Sequence, residues 1–599
     1  MLLTFLMILG AIPFIRKGGK FLPGELGGGM AFSLAFLLGG GYFLALFHLW
    51  NYIFLLPFIL LLFALRGIWE KRTFWKESCC RISSRLEKAS KENNLELPSN
   101  FIYFFIFLLF FLYLYFLACE KELPCGWDPA FHAILAGKII KYGTLSTTWL
   151  PFENITMNYP QGSHVLIALT AEYGSFCHIL PSGLSAVPEA QKLLMFALVL
   201  PSSLLIMAIT QECFQSIKAG FFAFLTFLLL GNLGTYSSFW GWGGYPTATG
   251  FLFFTALIYF ALQKEKMEKK DFTACMVLWG SFGLCHHMTV VIVAIIMTVY
   301  TLFLLTQWKK ANYTIWKKLF FPGVSACILF LPGIIFQIRS AGSTANSEVF
   351  RFDDERPYTF LQFLDNGSIP VIAGFLALIF LLSYRKQLLS SAKKDFLLLW
   401  AEASMGAFLF FEVIFRYCIA IPFTGKNFSL FVPSRFLTMT ALPFSILTGY
   451  LLYKIFQNKK VKKIKYLFPC FVTLSLLYGG INFYLRPMGD APSAPIKTLA
   501  ESLVKLPENA YVIVDPSKMK KTHWLPFLLW KPCITNPIPS SEDRRSVRKG
   551  LELFLYTEWN KMDLPAVRKY LKERGDQKAY WVIADEDGKL LKVFQYPAE

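Results

Sequence analysis

The chain has 599 residues, 55% of them hydrophobic and only 16% charged, with a mean hydropathy of +0.47. Soluble domains carry about 25% charged residues, so an ordinary soluble enzyme is excluded and a polytopic membrane protein is described. The net charge of +20 sits mostly in short loops between apolar runs, which the positive-inside rule explains without nucleic acid.

Residues 2–15 are apolar and short, and Arg16, Lys17 and Lys20 follow them. A cleavable signal carries its charge first, so this segment reads as a short spanning or re-entrant helix. Residues 30–49 and 51–66 pattern as a helical hairpin, and the basic stretch 67–98 as a cytoplasmic loop. Residues 101–119 are the clearest span, long enough for roughly 30 Å of hydrocarbon. They lead into a large first outer loop, 120–190. Further spans follow near 191–210, 217–232, 246–262, 272–285, 288–306, 319–337, 369–384, 396–415, 436–453 and 467–485, for a total of about fourteen.

Lys264–Lys270, Lys309–Lys318, Arg385–Lys394 and Lys459–Lys463 alternate with the Lys-poor loops 233–245, 338–368 and 416–434. That alternation places loop 120–190 and the C-terminus outside. After Arg486 the composition becomes soluble. Tyr511–Asp515 and Ala579–Ala584 read as buried strands, Asp587-Gly588 as a turn into a strand over 589–594, and 543–573 as helical. The domains are therefore 1–100 (extra spans and a cytoplasmic loop), 101–486 (the membrane core) and 487–599 (an extracytoplasmic α/β domain).

The twelve cysteines show no CxxC or zinc spacing. Cys119 and Cys125 flank the start of the outer loop, either as a disulfide in an oxidising compartment or as two free thiols.

The stretch Cys125–Glu172 carries the chemistry. Asp128-Pro129 is an N-cap and first-position pair. Its carboxylate is either only a cap or also a base for a hydroxyl, or a ligand for a divalent cation. His132 lies four residues on, on the same helix face. It is either a polar anchor or a partner of Asp128, tuning it or sharing a metal. Lys138 and Lys141 against Phe131, Ile134, Leu135 and Ile139 suggest an amphipathic helix on the membrane surface.

Tyr159-Pro160-Gln161-Gly162 launches a second helix, with His164, Ala168 and Glu172 on one stripe. Polar groups on such a stripe face protein or water, not lipid. Trp240–Pro246 suits sugar-ring stacking or an interfacial aromatic belt. Of His286-His287, whose side chains diverge on a helix, one faces the cavity. Arg435 begins a late span, where it either snorkels or pairs with a lipid-linked phosphate. Arg351–Arg356 is a solvated charge cluster.

These features resemble one family. A loop acid in D-x-x-x-H from Asp128 to His132, Tyr159-Pro160-x-Gly162-x-His164 before a second helix, the outer Arg435 and a C-terminal outer domain are similar to the C-type glycosyltransferase superfamily (GT-C). The resemblance implies a sugar donor on a polyprenyl phosphate and an acceptor entering from the outside. Asp128 would be base or metal-assisted activator, transfer would invert, and a basic residue such as Arg435 would stabilise the leaving phosphate. It also implies donor or acceptor contacts for His132, Tyr159, Gln161, His164, Glu172 and His286. Several members carry Asp-Glu where this chain has Asp128-Pro129, so a second carboxylate, and any divalent cation cofactor with it, is not matched. The WWD-type motif of oligosaccharyl transferases is absent.

The expectation is an integral protein of a bacterial inner membrane that glycosylates a lipid, glycan or protein acceptor. The competing readings are a transporter or flippase of a lipid-linked saccharide or envelope precursor, and a silent membrane scaffold. Against the transporter, the sequence shows no inverted repeat.

Overall fold

The computed structural model describes residues 2–15, 22–72, 128–152, 159–229, 243–263, 267–307, 312–342, 392–424, 433–458, 493–508, 510–514, 521–534 and 579–596, with a few isolated positions besides. Cys119, Cys125, the span 101–119 and the helical stretch 543–573 lie outside the described residues.

The helices are α1 Leu2–Ala11, α2 Leu22–Leu46, α3 Leu55–Glu70, α4 Asp128–Tyr142, α5 Gly162–Phe176, α6 Val187–Phe214, α7 Ile217–Leu229, α8 Tyr245–Leu262, α9 Lys269–Cys285, α10 His287–Thr306, α11 Thr314–Leu329, α12 Leu331–Gly342, α13 Ala392–Leu409, α14 Pro433–Gln457, α15 Ala494–Leu503 and α16 Leu525–Leu529. Among the described residues seven helices, or eight with a pair bent by 69° at Phe330, are long and apolar enough to cross a membrane. The protein is an integral membrane protein of helices.

Three elements differ from the sequence-based boundaries. The first loop ends earlier than residue 190, because a helical run begins at Gly183 and continues to Phe214. The span expected over 319–337 is bent at Phe330. The span expected over 396–415 continues to Phe423 through a π-helical stretch, Phe410–Ala420.

Helix α8 is buried on every side. A helix apolar all round belongs at the centre of a bundle, and α8 packs against α2, α6, α9 and α11. In a span, no water satisfies a stray hydroxyl. Thr249, Thr255, Ser203, Thr210 and Ser445 accordingly donate to the carbonyl four residues back, at 2.6–2.8 Å. Small residues bring backbones together: a Cβ on Gly449 of α14 would fall 2.3 Å from the backbone nitrogen of Ala223 on α7.

At one end of the bundle, lysines hold helix ends. Lys318 donates to the Gln263 carbonyl at 2.7 Å beyond the C-terminus of α8, and Lys71 to the Pro13 carbonyl at 2.6 Å. Lys393 pairs with Glu212 at 2.6 Å. Cations suit the negative end of a helix. The N-termini of α6 and α8 lie at the other end, with α4 and α5.

The C-terminal domain is a four-stranded sheet of order β2-β1-β3-β4, with β1 Tyr511–Val514, β2 Cys533–Ile534, β3 Ala579–Ala584 and β4 Leu590–Tyr596. Strands β1 and β2, and β1 and β3, are parallel. Strand β4 returns antiparallel through the Asp587-Gly588 turn, where Gly588 has φ +80. The α/β character expected from the apolar runs is present.

Helix α16 of this domain packs on α4, and that contact changes how α4 behaves. It is not a surface amphipathic helix: Lys138 is 3% exposed and donates to the Thr148 carbonyl. Burial pulls its ammonium down to about 8. The domain covers the side of α4 that the sequence pattern left to solvent.

Replacing Gly449 by Leu overpacks the α7–α14 contact and should cost about 1–3 kcal/mol. Thermal unfolding in detergent should show a lower midpoint for Gly449→Leu than for Gly449→Ala, and both below wild type.

Candidate functional site

Asp128 and Pro129 open α4, within a residue of the predicted cap. Two contacts from other elements fix this start. Gln191, fully buried at the beginning of α6, donates from Nε2 to the Pro129 carbonyl at 2.7 Å. Gly243, at φ +79, lies so close that a Cβ would sit 2.3 Å from Pro129 Cδ. Only glycine combines that left-handed backbone with that approach. Asp128 itself remains half-buried.

One turn further, His132 is 5% exposed and turns into the protein. Its Nδ1 lies 2.8 Å from Nε2 of His164, which is fully buried on the first turn of α5. Tyr245, at the start of α8, meets the His132 ring edge-on with centroids 5.7 Å apart. Burial pushes His132 down to about 3, against a hydrogen bond to the Gly243 backbone that favours the charged form. Burial, and then the neighbouring His132, hold His164 well below the usual histidine range. Both rings are therefore neutral at pH 7, with one N–H shared between them. His164 Nδ1, on the far side of its ring, is buried.

Tyr159 closes the cluster, half-buried, edge-on to His164 with centroids 5.6 Å apart and 6.3 Å from the ring of His286. His286 precedes α10 in an extended conformation and shares a hydrogen bond with Thr289 Oγ1 at 3.1 Å. Of the two adjacent histidines it is His286 that joins Tyr159.

The structure thus brings together His132, Tyr159, His164 and His286 beside the Asp128 helix start. Gln161 is adjacent, but both ends of its amide go to the Ser146 backbone: Oε1 accepts from the N–H at 2.9 Å and Nε2 donates to the carbonyl at 2.6 Å. It shapes the loop between α4 and α5. Glu172 lies eight residues beyond His164, roughly 12 Å along α5, and stands apart from the cluster. Burial raises its carboxyl. Arg435 falls in the first turn of α14, and its side chain is outside the described residues.

One ring nitrogen of His132, Nδ1, is engaged by His164. Among the described residues no three His, Cys, Asp or Glu side chains converge on one point.

Sequence reasoning missed Gln191, and it singled out Gly243 and Tyr245 within Trp240–Pro246 for sugar stacking or an aromatic belt rather than for contacts with Pro129 and His132. Gln191 could have been found as a lone amide near an apolar helix start. It also missed Arg416, 1% exposed and paired with Glu412 at 3.2 Å one turn away on the π-helical stretch. Arg416 lies 24 residues after Ala392, roughly 36 Å along the helix, which places it at the same end of the bundle as the cluster. Because the span was expected to stop at 415, the i,i+4 pair was divided between a helix and a loop.

The fold has a known counterpart. The structure of ArnT from Cupriavidus metallidurans bound to undecaprenyl phosphate superposes with a TM-score of 0.51 at 13% sequence identity, over 80% of this chain and 92% of that one. The chain is therefore an integral membrane protein that shares its fold with that ArnT structure. No family model and no curated protein matches it in sequence.

A histidine that is neutral when folded and titrates near 6.5 when unfolded takes up protons on unfolding. Stability from burying His132 is thus fully present above pH 6.5 and is lost as pH falls toward 3. Between pH 6.5 and 4 the loss should be about 3 kcal/mol. Unfolding followed from pH 7 to 4 in detergent should show a shallower pH dependence for His132→Gln than for wild type.

Proposed function

We propose that this protein is a membrane glycosyltransferase that moves a sugar from a polyprenyl-phosphate donor to an acceptor hydroxyl on the outer, periplasmic or lumenal, face. The observation that carries this reading is Asp128. It is a half-exposed carboxylate at the rim of a bundle whose fold matches that of ArnT captured with undecaprenyl phosphate.

The environments of the two buried histidines support this reading: burial makes His132 and His164 poor bases, and the proposed base is the carboxylate of Asp128. Asp128 takes the proton of the acceptor hydroxyl as its oxygen attacks the anomeric carbon. The bond from that carbon to the phosphate oxygen breaks, and the leaving polyprenyl phosphate keeps the electron pair. Attack from the face opposite the leaving group inverts the configuration. Negative charge grows on the phosphate, where a cation such as Arg435 stabilises it. Tyr159 and His286, on the accessible side of the cluster, contact the sugar or the acceptor. His132 and His164 hold that side in shape from behind, Gln161 holds the loop, and Glu172 lines a deeper part of α5. The 120–182 loop and the C-terminal domain lie outside, and a bacterial inner membrane suits the Lys-rich loops of the other side.

The transporter reading predicts polar groups near the bilayer midplane. The cluster instead stands at the bundle end, and the buried Arg416 is at that same end, which favours the enzyme.

Deleting the gene and profiling envelope glycans and lipid-linked sugars by mass spectrometry tests this. One glycan should lose a sugar and its polyprenyl donor should accumulate. Wild type should restore both. Asp128→Asn, present in the membrane at equal level, should transfer at least about 100-fold more slowly. Full rescue by Asp128→Asn would reduce that residue to a helix cap and move the transporter reading ahead.

A further inference from the structure

Trp530 follows α16 and holds a left-handed backbone, φ 52. A bulky residue keeps that conformation only where its surroundings impose it. Those surroundings belong to the other part of the chain. Phe152 meets the indole edge-on with centroids 5.1 Å apart. The Lys141 ammonium lies 5.2 Å from the ring centre. Gly137 faces the ring so closely that a Cβ would fall 2.8 Å from Cζ3. The indole N–H is buried with no hydrogen-bond partner, so the ring contributes its shape and its face for the cation rather than a donor.

Gly137 and Lys141 are four residues apart and share a face of α4. Asp128 begins the same helix nine residues before Gly137, roughly 14 Å away. Loop 144–152 reinforces this hold: Lys138 reaches Thr148, Gln161 fixes Ser146, and Phe152 ends on Trp530. Helix α4 is therefore gripped at both ends. Gln191, Gly243 and His164 hold the Asp128 end, and the C-terminal domain holds the other through α16 and Trp530.

We propose that Trp530 is a positioning residue, through which the C-terminal domain sets the placement of α4 and so of Asp128. The catalytic consequence rests on the role given to Asp128 above; the coupling between the domain and α4 does not. Displacing a reacting group by about 1 Å costs on the order of 100-fold in rate. With the full-length protein in nanodiscs and its lipid-linked donor, Trp530→Ala should lower kcat about 10–100-fold and leave the donor KM within about twofold. Trp530→Phe, which keeps an aromatic face but loses the N–H and the outer edge of the indole that meets Gly137, should recover part of the rate. Gly137→Ala pushes on the same contact from the α4 side with a single methyl and should lower kcat in the same direction.

Hydrogen exchange of residues 128–142 should rise in Trp530→Ala and rise less in Trp530→Phe. Exchange reads the coupling even if wild type transfers no sugar, the outcome that removes the enzyme reading alone. Unchanged exchange in Trp530→Ala, or a wild-type kcat, overturns the positioning role. So does a Trp530→Phe protein as impaired as Trp530→Ala.

Discussion

The contact between His132 and His164 is the interaction on which the loop end of the molecule depends. It joins α4 to α5 through two buried rings whose nearest nitrogens are 2.8 Å apart. Two imidazolium groups at that distance in a low-dielectric interior would repel strongly, and burial disfavours the charged form of both. Tyr245 meets the His132 ring edge-on, so the start of α8 joins the same contact and three elements distant in sequence meet there.

Burial disfavours the charged form of His132 and His164, while Asp128 stands half-exposed at the start of α4. The opposite end of the bundle uses charge differently. There Lys71, Lys318 and Lys393 serve helix ends or a buried glutamate. One end of the protein is stapled by lysines, and the other sets neutral rings, amides and close backbone approach beside the buried Arg416–Glu412 pair.

The C-terminal domain belongs to this second end. Its sheet supplies no side chain to the histidine cluster among the described residues, but Trp530 seats it on α4. Lys138 and Lys141 show the consequence. Both look like solvent-facing charges in sequence, yet one is buried against a loop carbonyl and the other lies over an indole.

The sequence alone determined what depends on local pattern and composition. Apolar runs of bilayer length made the protein a helical membrane protein, because unpaired backbone groups are not tolerated in hydrocarbon. Asp128-Pro129 and Gln161-Gly162 marked helix starts through the chemistry of helix ends. Short continuous apolar runs placed strands β1 and β3. Tertiary structure alone decided which of the candidate polar residues meet. His132 and His164 are 32 residues apart and neither spacing nor periodicity pairs them, whereas packing α4 on α5 brings their rings into contact. Gln191 and Gly243 carry no local signal of their task, because their partner, Pro129, is remote in the chain. Arg416 could not be read as buried until the helix was seen to continue past 415. Local propensity acts over a few residues; contacts between elements follow from how whole helices pack, and there the site was made.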